Sequence, residues 1–337
     1  MNKVKVGVIG LGMGQGHLQC YEASPNAEAV AVCDIDRARL DKVLQTRPNV
    51  KGFTDYKEML AMKDLQAVSV ALPNFLHAPI TIAALKAGKH VMCEKPMAMN
   101  TAEAQEMKAT ADKLGLTLMM HFNMRFMTTA ATLKPIIEGG ALGEIYHVTT
   151  TYLRRDGYPG AGGWFGQKAK SGGGPLIDLG VHRIDLALHL IGYPKPVAAL
   201  GNVYDLLARE KLKGVAFDCE DFSTGMIRFD SGCTMYAAAS WDGYPMPGRA
   251  LTMGIYGTKG YVFETGSELA LCTKQNGVPV TMTLEVQQPK ETAQHHFVTC
   301  LQEGRKPGPA AEHGVIVMKI LDAIYESART GREVAIK

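Results

Sequence analysis

The sequence of 337 residues contains no uninterrupted apolar run long enough to cross a bilayer, so we expect no membrane-spanning helix. Strand-like sequence begins at Val4, and we therefore expect no signal peptide. The seven cysteines are scattered, without a Cys-x-x-Cys pair or metal-like spacing, which predicts reduced thiols, no metal site and a cytoplasmic protein. The formal charge of +3 comes without a block of Lys or Arg, so composition gives no support for a nucleic-acid partner. Internal repeats and low-complexity segments are absent as well.

The composition, with 46% hydrophobic and 20% charged residues, is typical of a soluble globular protein. The length predicts about two domains, each able to bury a core without disulfides. In the first half, short apolar runs alternate with helix-period segments such as 80–87 and 102–114. This alternation predicts an α/β fold with βαβ units and a mostly parallel sheet, whose strand ends meet at one edge. The apolar runs are residues 4–9, 29–33, 67–71, 90–93 and 118–121.

A glycine-rich turn follows the first predicted strand and contains Gly10, Gly12, Gly14 and Gly16. Glycines here permit a tight turn and let backbone amides approach a pyrophosphate at a helix N-terminus. The second strand ends at Asp34, about 20 residues further on, where a carboxylate can hydrogen-bond an adenosine ribose. The third glycine of the usual fingerprint is displaced by one residue, because its position holds Gln. Strand, turn, helix and acid together predict a dinucleotide site.

The identity of the dinucleotide depends on the end of the second strand. A carboxylate at Asp34 would repel the 2′-phosphate of NADP, which favours NAD. Arg37 is close enough in sequence to keep NADP possible.

Polar residues also follow the apolar run 67–71, where Pro73 and Asn74 precede His77 at the start of the next helix. Asn74 is placed to cap that helix, and a contact with the nicotinamide half of a cofactor is the alternative. His77 has the same two interpretations.

The apolar run 90–93 ends abruptly in Glu94, Lys95 and Pro96. A buried Lys is costly unless it is paired or used, and open α/β sheets bind their ligands at the carboxyl ends of strands. A surface salt bridge is the alternative for an isolated Glu-Lys pair. The proline biases Lys95 toward an extended conformation, and the peptide bond before it could be cis.

The second half reads mainly as strands joined by turns such as Asn276-Gly277, which is typical of hairpins and predicts a largely antiparallel sheet. Two helices, near 291–303 and 311–330, close the chain. So few helices leave one face of a large sheet to bury, which favours self-association. The predicted strands are residues 144–154, 197–206, 222–229, 234–241, 251–256, 260–264 and 280–286.

One segment of this half has helical periodicity and follows the glycines 172–174. In it, Asp178 and His182 are four residues apart, so they share one face and their side chains can meet. A carboxylate beside a histidine fixes the tautomer of the ring and suits it to proton transfer near neutral pH. The alternative is an ordinary Asp–His pair on a solvated helix face. The glycines allow a backbone or a ligand to approach closely.

These motifs, in this order and over nearly the whole length, resemble the Gfo/Idh/MocA family, the group of glucose–fructose oxidoreductase and inositol dehydrogenase. The motifs that carry the resemblance are the glycine turn with Asp34, Pro73-Asn74 with His77, Glu94-Lys95-Pro96, Phe122-Asn123-Met124-Arg125-Phe126, the Asp178-x-x-x-His182 helix and Tyr256-Gly257-Thr258-Lys259-Gly260. The resemblance implies a Rossmann domain at 1–122 and a substrate-binding and oligomerisation domain at 123–337. It further implies an active site between them and homodimers or homotetramers formed through the second sheet.

The resemblance implies oxidation of a ring hydroxyl of a sugar or cyclitol, or reduction of the matching ketone, with NAD or NADP. Lys95, Asp178 and His182 would form the catalytic set. Elementary chemistry agrees, because His182 could accept the hydroxyl proton while Lys95 stabilises the developing alkoxide. Expected cofactor contacts are Gly10, Gly12, Met13, Gly14, Asp34, Arg37, Pro73, Asn74, His77, Glu94, Lys95 and Asn123. Expected substrate contacts are Lys95, Arg154, Trp164, Asp178, His182 and Trp241.

Two other functions remain open for this set of residues. A branch of the family consists of glycosidases that use bound NAD in a transient oxidation and elimination. Other relatives are non-catalytic dinucleotide sensors, although such a protein would be free to lose the catalytic set that this chain retains. One departure from the family is Phe165, since many relatives carry Arg after the preceding tryptophan.

Overall fold

In the computed structural model, residues 2–245, 247–248, 250–266 and 268–337 are described. The strands are β1 (Val4–Ile9), β2 (Ala27–Cys33), β3 (Lys51–Phe53), β4 (Ala67–Val70), β5 (His90–Cys93), β6 (Leu118–Met120), β7 (Ile145–Leu153), β8 (Pro196–Tyr204), β9 (Phe222–Phe229), β10 (Thr234–Ser240), β11 (Leu251–Gly257), β12 (Gly260–Thr265), β13 (Glu268–Gln275), β14 (Val278–Thr283) and β15 (Val334–Ala335). The helices are α1 (Gly14–Ala23), α2 (Arg37–Leu44), α3 (Tyr56–Leu60), α4 (His77–Lys86), α5 (Thr101–Leu114), α6 (Thr128–Glu138), α7 (Lys168–Ser171), α8 (Val181–Leu190), α9 (Leu206–Lys211), α10 (Ala293–Glu303) and α11 (Ala311–Thr330).

The chain forms two compact units, residues 1–121 with 291–315 and residues 122–290 with 316–337. The segment 291–315 therefore packs in the first unit, whereas the expected boundary placed it in the second domain. The reason is tertiary. The buried face of α10 includes Phe297 and Val298, and Thr299 on the same helix accepts a hydrogen bond of 2.9 Å from the side chain of Asn26.

The first unit contains a six-stranded parallel sheet in the order β3-β2-β1-β4-β5-β6, as the alternating pattern predicts. The register pairs Ile9 with Cys33 and with Val70, and Cys93 with Val70 and with Met120. The residues that follow these positions lie along one edge of the sheet, which is the edge where open α/β sheets bind ligands. They are Gly10, Asp34, Ala71, Glu94 and His121.

The second unit contains a nine-stranded sheet in the order β14-β13-β12-β11-β7-β10-β9-β8-β15. All its strand pairs are antiparallel except β7 with β10, so the prediction of a mostly antiparallel sheet is confirmed. One face of the sheet packs on helices. Glycines in β8 and β9 make room for α11, because a Cβ at Gly201 or Gly225 would lie 2.8 or 2.6 Å from side-chain atoms of Ile324.

None of the helices within the described part of the chain combines the length and the apolar character needed to span a bilayer.

Candidate active site

In the glycine turn after β1, the close contact between helix and strand is made by a different residue from the one that the fingerprint spacing indicates. Gly10 has a φ of +90°, and a Cβ there would lie 2.2 Å from the carbonyl oxygen of Ala71. A Cβ at Gly14 would lie 2.6 Å from Cγ1 of Val8, so this glycine provides the close contact between helix and strand. A Cβ at Gly16 would meet nothing within 4 Å. The displaced glycine is therefore compensated by Gly14, the first residue of α1.

Gly12 lies between these two positions, and a Cβ on it would meet no atom within 4 Å. The space beside it is open to a ligand that approaches the backbone at the N-terminus of α1. The neighbouring Met13 is 74% exposed and stands at the N-cap position of α1.

Asp34 is buried at the end of β2 and ties the glycine turn to α2. Its Oδ2 accepts a hydrogen bond of 2.7 Å from the backbone N–H of Leu11, and its Oδ1 accepts one of 2.8 Å from the backbone of Asp36. Arg39 donates to both carboxylate oxygens, at 3.0 and 3.3 Å.

Arg37, an expected cofactor contact, pairs within its own helix and not with Asp34. Its guanidinium is exposed and pairs with Asp41 one helical turn away, at 2.9 Å. Side chains two residues apart on a helix point about 200° away from each other, so Arg39 and not Arg37 reaches the Asp34 carboxylate.

The segment after β4 also corrects two expectations. Asn74 is buried in a 3₁₀ turn, Asn74–Leu76, whose N-cap is Pro73, while Leu76 holds the N-cap position of α4. Asn74 thus does not hold the N-cap position of α4. His77 is fully buried, and its two ring nitrogens lie 2.7 and 2.8 Å from the carbonyl oxygens of Pro96 and Leu72. Backbone groups occupy both polar atoms of the ring, which argues for bracing of the loop and against a direct cofactor contact.

Glu94 and Lys95 stand at the end of β5, as the sequence predicts, and the peptide bond between Lys95 and Pro96 is cis. The Glu94 carboxylate is buried with two histidines. Its Oε1 lies 2.8 Å from Nε2 of His17 and 2.7 Å from Nδ1 of His121. Burial alone would raise the pKa of Glu94, but the two histidines hold it well below its usual value. Sequence reasoning missed both histidines, which are far from Glu94 along the chain.

Asp178 and His182 lie in the second unit, on the segment predicted to be helical. Residues Leu176–Gly180 form a π-helical turn that continues directly into α8. Such turns are rare in proteins, and those that occur are often found at functional sites. Asp178 is buried in the π-helical turn, and His182 follows in the first turn of α8, where it is half-buried.

Trp241 is a correction to the predicted substrate contacts, because its side chain is fully buried. It packs in a cluster with Leu179 and Cys219, beside the rings of Tyr158 and Phe217. Its indole Nε1–H donates a hydrogen bond of 2.9 Å to Oδ2 of Asp178. The residue therefore orients the carboxylate and offers no face to a sugar ring.

The glycines before Asp178 serve a close approach between parts of the protein itself. A Cβ at Gly174 would lie 2.1 Å from the carbonyl oxygen of Glu220, and one at Gly173 would lie 2.1 Å from the hydroxyl of Tyr325. The Glu220 carboxylate accepts hydrogen bonds from that hydroxyl, at 2.8 Å, and from the backbone N–H of Leu176, at 3.3 Å. It thereby fixes the start of the π-helical turn.

Three more predicted contacts lie in the second unit. Arg154 stands just beyond β7, with its guanidinium 5.9 Å from the ring centroid of Tyr152. Trp164 stacks on Phe165 at 3.9 Å, and the pair is half-buried. Oδ1 of Asn123 is buried and accepts no hydrogen bond from any described residue. A buried acceptor without a donor is an expected feature of a ligand site.

Comparisons with known proteins agree with this fold. Residues 4–122 match the family model of the oxidoreductase family with an NAD-binding Rossmann fold, and residues 130–263 match the GFO/IDH/MocA C-terminal domain. The chain is 32% identical to D-glucoside 3-dehydrogenase of Escherichia coli K12, over 99% of this chain and 97% of that protein. It is 29% identical to levoglucosan dehydrogenase of Pseudarthrobacter phenanthrenivorans, over 97% of each.

Among solved structures, a levoglucosan dehydrogenase in complex with NADH superimposes with a TM-score of 0.90 at 26% identity and covers 100% of both chains. The family models together match well over half of the sequence. The chain belongs to the GFO/IDH/MocA family of oxidoreductases, and its first unit contains the NAD-binding Rossmann fold of that family.

Proposed function

We propose that this protein is an NAD-dependent dehydrogenase that oxidises a ring hydroxyl of a sugar, cyclitol or sugar derivative, or reduces the matching ketone. The first substrate class to consider is a D-glucoside oxidised at carbon 3, because the D-glucoside 3-dehydrogenase is similar over nearly the full length of both chains. The observation that carries the proposal is a shared sheet edge, where the glycine turn follows β1, Asp34 follows β2 and Glu94-Lys95 follows β5.

The described residues fit a bound dinucleotide. The open space beside Gly12 accommodates a pyrophosphate at the N-terminus of α1, and Asp34 can accept a ribose hydroxyl. The unsatisfied Oδ1 of Asn123 can accept a further hydrogen bond. The proposed cofactor contacts are Gly10, Gly12, Met13, Gly14, Asp34, Pro73, Asn74, Glu94, Lys95 and Asn123. When bound, NAD supplies the hydride acceptor.

In the proposed mechanism, two side chains contact the reacting hydroxyl group, one to accept its proton and one to stabilise its oxygen. His182 accepts the hydroxyl proton as general base. Lys95 donates a hydrogen bond to the same oxygen and stabilises the charge that develops on it. Asp178 orients His182, and Trp241 in turn orients Asp178 through the indole N–H. Arg154 and Trp164 are proposed as further substrate contacts that take no part in the proton transfer.

Product analysis tests the proposal. The purified protein is incubated with NAD and, separately, with a methyl glucoside, free glucose, levoglucosan and an inositol, and each product is identified by NMR. We expect a 3-keto glucoside. A ketone at another carbon would overturn the assignment of position, and the absence of any keto product from a protein that binds NAD would overturn the proposal.

The second sheet motivates a proposal about assembly. Ring centroids of Tyr256 and Tyr261 lie 4.3 Å apart, and Phe263 is 5.8 Å from Tyr261, on a half-exposed face of β11 and β12. Tyr146 nearby is 53% exposed. We propose that a second copy of the chain covers this aromatic face, which gives a homodimer or homotetramer. Light scattering with Tyr261→Lys tests it, since a variant that stays as large as the wild type contradicts the proposal.

The seven cysteines are all unpaired in the structure, and five of them are buried. This motivates the proposal that the protein works in the cytoplasm, where thiols stay reduced.

A further inference from the structure

The two histidines beside Glu94 come from different parts of the first unit. His17 lies on α1, in the turn after the glycines, and His121 directly follows β6. Their imidazole rings lie 4.3 Å apart between centroids, and both contact the same oxygen, Oε1. The other oxygen, Oε2, accepts a hydrogen bond of 3.1 Å from the backbone N–H of Lys95. The carboxylate is thus held from three directions at the sheet edge.

The donors and acceptors fix the tautomers of both rings. An ionised carboxylate only accepts hydrogen bonds, so Nε2 of His17 and Nδ1 of His121 must both carry a proton. The amide Nε2 of Gln294, on α10, lies 3.1 Å from Nε2 of His121 and donates to it. His121 is then the Nδ1–H tautomer. No described residue accepts a hydrogen bond from Nδ1 of His17, so a proton on that nitrogen would be buried without an acceptor, and the ring is the neutral Nε2–H form.

The electrostatics agree with this assignment. Burial lowers the pKa of His17, although the hydrogen bond to Glu94 acts in the opposite direction. A neutral His17 therefore stabilises the Glu94 charge as a hydrogen-bond donor and not as a cation. The carboxylate accordingly keeps its negative charge near the end of β5.

The contacts in this cluster have the lengths of hydrogen bonds. The ligand atoms of the three residues lie within 4.8 Å of one another, a spacing that a metal ion could bridge. However, the two nitrogens are 2.8 and 2.7 Å from one oxygen, whereas the ligands of a tetrahedral zinc ion lie about 3.3 Å apart. The geometry is that of a hydrogen-bonded network.

We propose that His17 and His121 are positioning residues, which keep the Glu94 carboxylate ionised and turned so that Oε2 can accept a hydrogen bond from the ribose of the bound dinucleotide. This inference rests on the proposed function, because it assigns Glu94 to cofactor binding. It links the glycine turn, through His17 on α1, to the strand end that carries Lys95.

Other titratable groups near the Glu94 charge are His77 on α4, and Cys93 and Lys95 on either side of it in the chain. Burial lowers the pKa of His77 and raises that of Cys93 to about 12. Burial therefore favours the uncharged form of both side chains. The remaining contact, Gln294, does not titrate. A pH effect in this network is therefore attributed to Glu94 and its two histidines.

The test uses two pairs of variants. His17→Gln and His121→Asn keep an N–H donor at the position of the contacting ring nitrogen, whereas His17→Met and His121→Leu remove it. His295→Gln is the matched control, since His295 contacts Ser24 in the same unit and lies outside the network. For each full-length variant, the dissociation constant of NADH is measured by its fluorescence at pH 5.5 to 8, alongside the thermal midpoint.

We expect His17→Met and His121→Leu to weaken NADH binding about tenfold at pH 8. The loss should grow by about another tenfold toward pH 5.5, because Glu94 then takes up a proton more easily. The Gln, Asn and control variants should follow the wild-type profile. A loss that is equal at every pH, or equal in both members of a pair, would overturn the inference and leave a purely structural role.

Nitrogen NMR of the histidine-labelled wild type provides a check that needs no variant to fold. At pH 7, His17 should be the neutral Nε2–H tautomer; a doubly protonated His17 contradicts the inference. If the wild type does not bind NADH at all, the proposed function fails. If it binds NADH and the paired variants do not differ, only the positioning role fails.

Discussion

The indole N–H of Trp241 donates a hydrogen bond of 2.9 Å to the Asp178 carboxylate, although 63 residues separate them. The tryptophan is fully buried, so its only polar atom is committed to this contact. Asp178 stands in the π-helical turn, and His182 follows in the first turn of α8. Because Trp241 holds the Asp178 carboxylate, the orientation of that carboxylate depends on the packing of the cluster around Trp241. The role proposed for Asp178, to orient the general base His182, thus depends on a carboxylate that a residue of the hydrophobic core holds in place.

Replacing Trp241 by Phe should lower kcat/KM for the sugar about 10- to 100-fold, because a hydrogen bond to a charged group contributes about 1.5–3 kcal/mol. The affinity for NADH should stay unchanged. Phe217→Leu is the control, since this ring packs 6.1 Å from Trp241 between centroids and does not bond to Asp178. If both variants lose stability and activity in parallel, the indole donor has no special role.

The glycine turn yields a prediction about stability. Gly14→Ala should destabilise the first unit by about 1–3 kcal/mol, because the new methyl group would meet Val8 at 2.6 Å. Gly16→Ala should be neutral or stabilise by up to about 1 kcal/mol, since its surroundings are open and alanine favours a helix. Urea unfolding of both variants checks this. Equal effects at the two positions would show that Gly14 does not make the close helix–strand contact.

Arg39 provides a prediction about cofactor selectivity. Its guanidinium contacts both oxygens of Asp34 and partly offsets the charge that repels a 2′-phosphate. Arg39→Ala should therefore lower kcat/KM with NADP about fivefold more than with NAD, the size of a half-exposed ion pair. Arg37→Ala, whose side chain pairs with Asp41, should leave the ratio unchanged. A larger change for Arg37→Ala would contradict the geometry.

Glu220 gives a pH-dependent prediction. Burial raises the pKa of this carboxyl group, despite the hydrogen bond from Tyr325. The folded chain thus binds the proton more tightly than the unfolded chain. The stability that this contributes is fully present below the unfolded pKa of about 4.3 and is lost as the pH rises through the folded pKa. Glu220→Gln should therefore raise the thermal midpoint above that of the wild type at pH 8. At pH 4 the increase in the midpoint should be smaller. The same difference at both pH values would contradict this.

The parts of the site that sequence patterns predicted are those encoded locally. Asp34 and Glu94 each follow an apolar run directly, so their place at a strand end can be read from neighbouring residues. The strands β3 and β15 were missed because three and two residues are too few to show a period. The eight residues of β13 were missed as well, and only the Asn276-Gly277 turn beyond them indicated a hairpin.

The contacts that the sequence could not indicate are those made by tertiary packing. The residue type of Trp241 suits a sugar platform and a core position equally, and only the structure shows it buried against Asp178. His17, Glu94 and His121 meet because the order of the strands places β1, β5 and β6 in one sheet. The return of α10 to the first unit likewise depends on contacts such as Asn26 with Thr299, which no local pattern encodes.

The central claim is that Lys95 acts on the oxygen of a sugar hydroxyl while NAD is bound. The most direct test is the absorbance of reduced nicotinamide over a panel of glucosides, free sugars and cyclitols, with NAD and NADP in parallel, for the wild type and for Lys95→Ala. We predict turnover of one substrate class that falls at least about a hundredfold in the variant, while NADH still binds. Turnover that persists in Lys95→Ala, or a wild type that binds NADH yet oxidises nothing in the panel, would contradict the account.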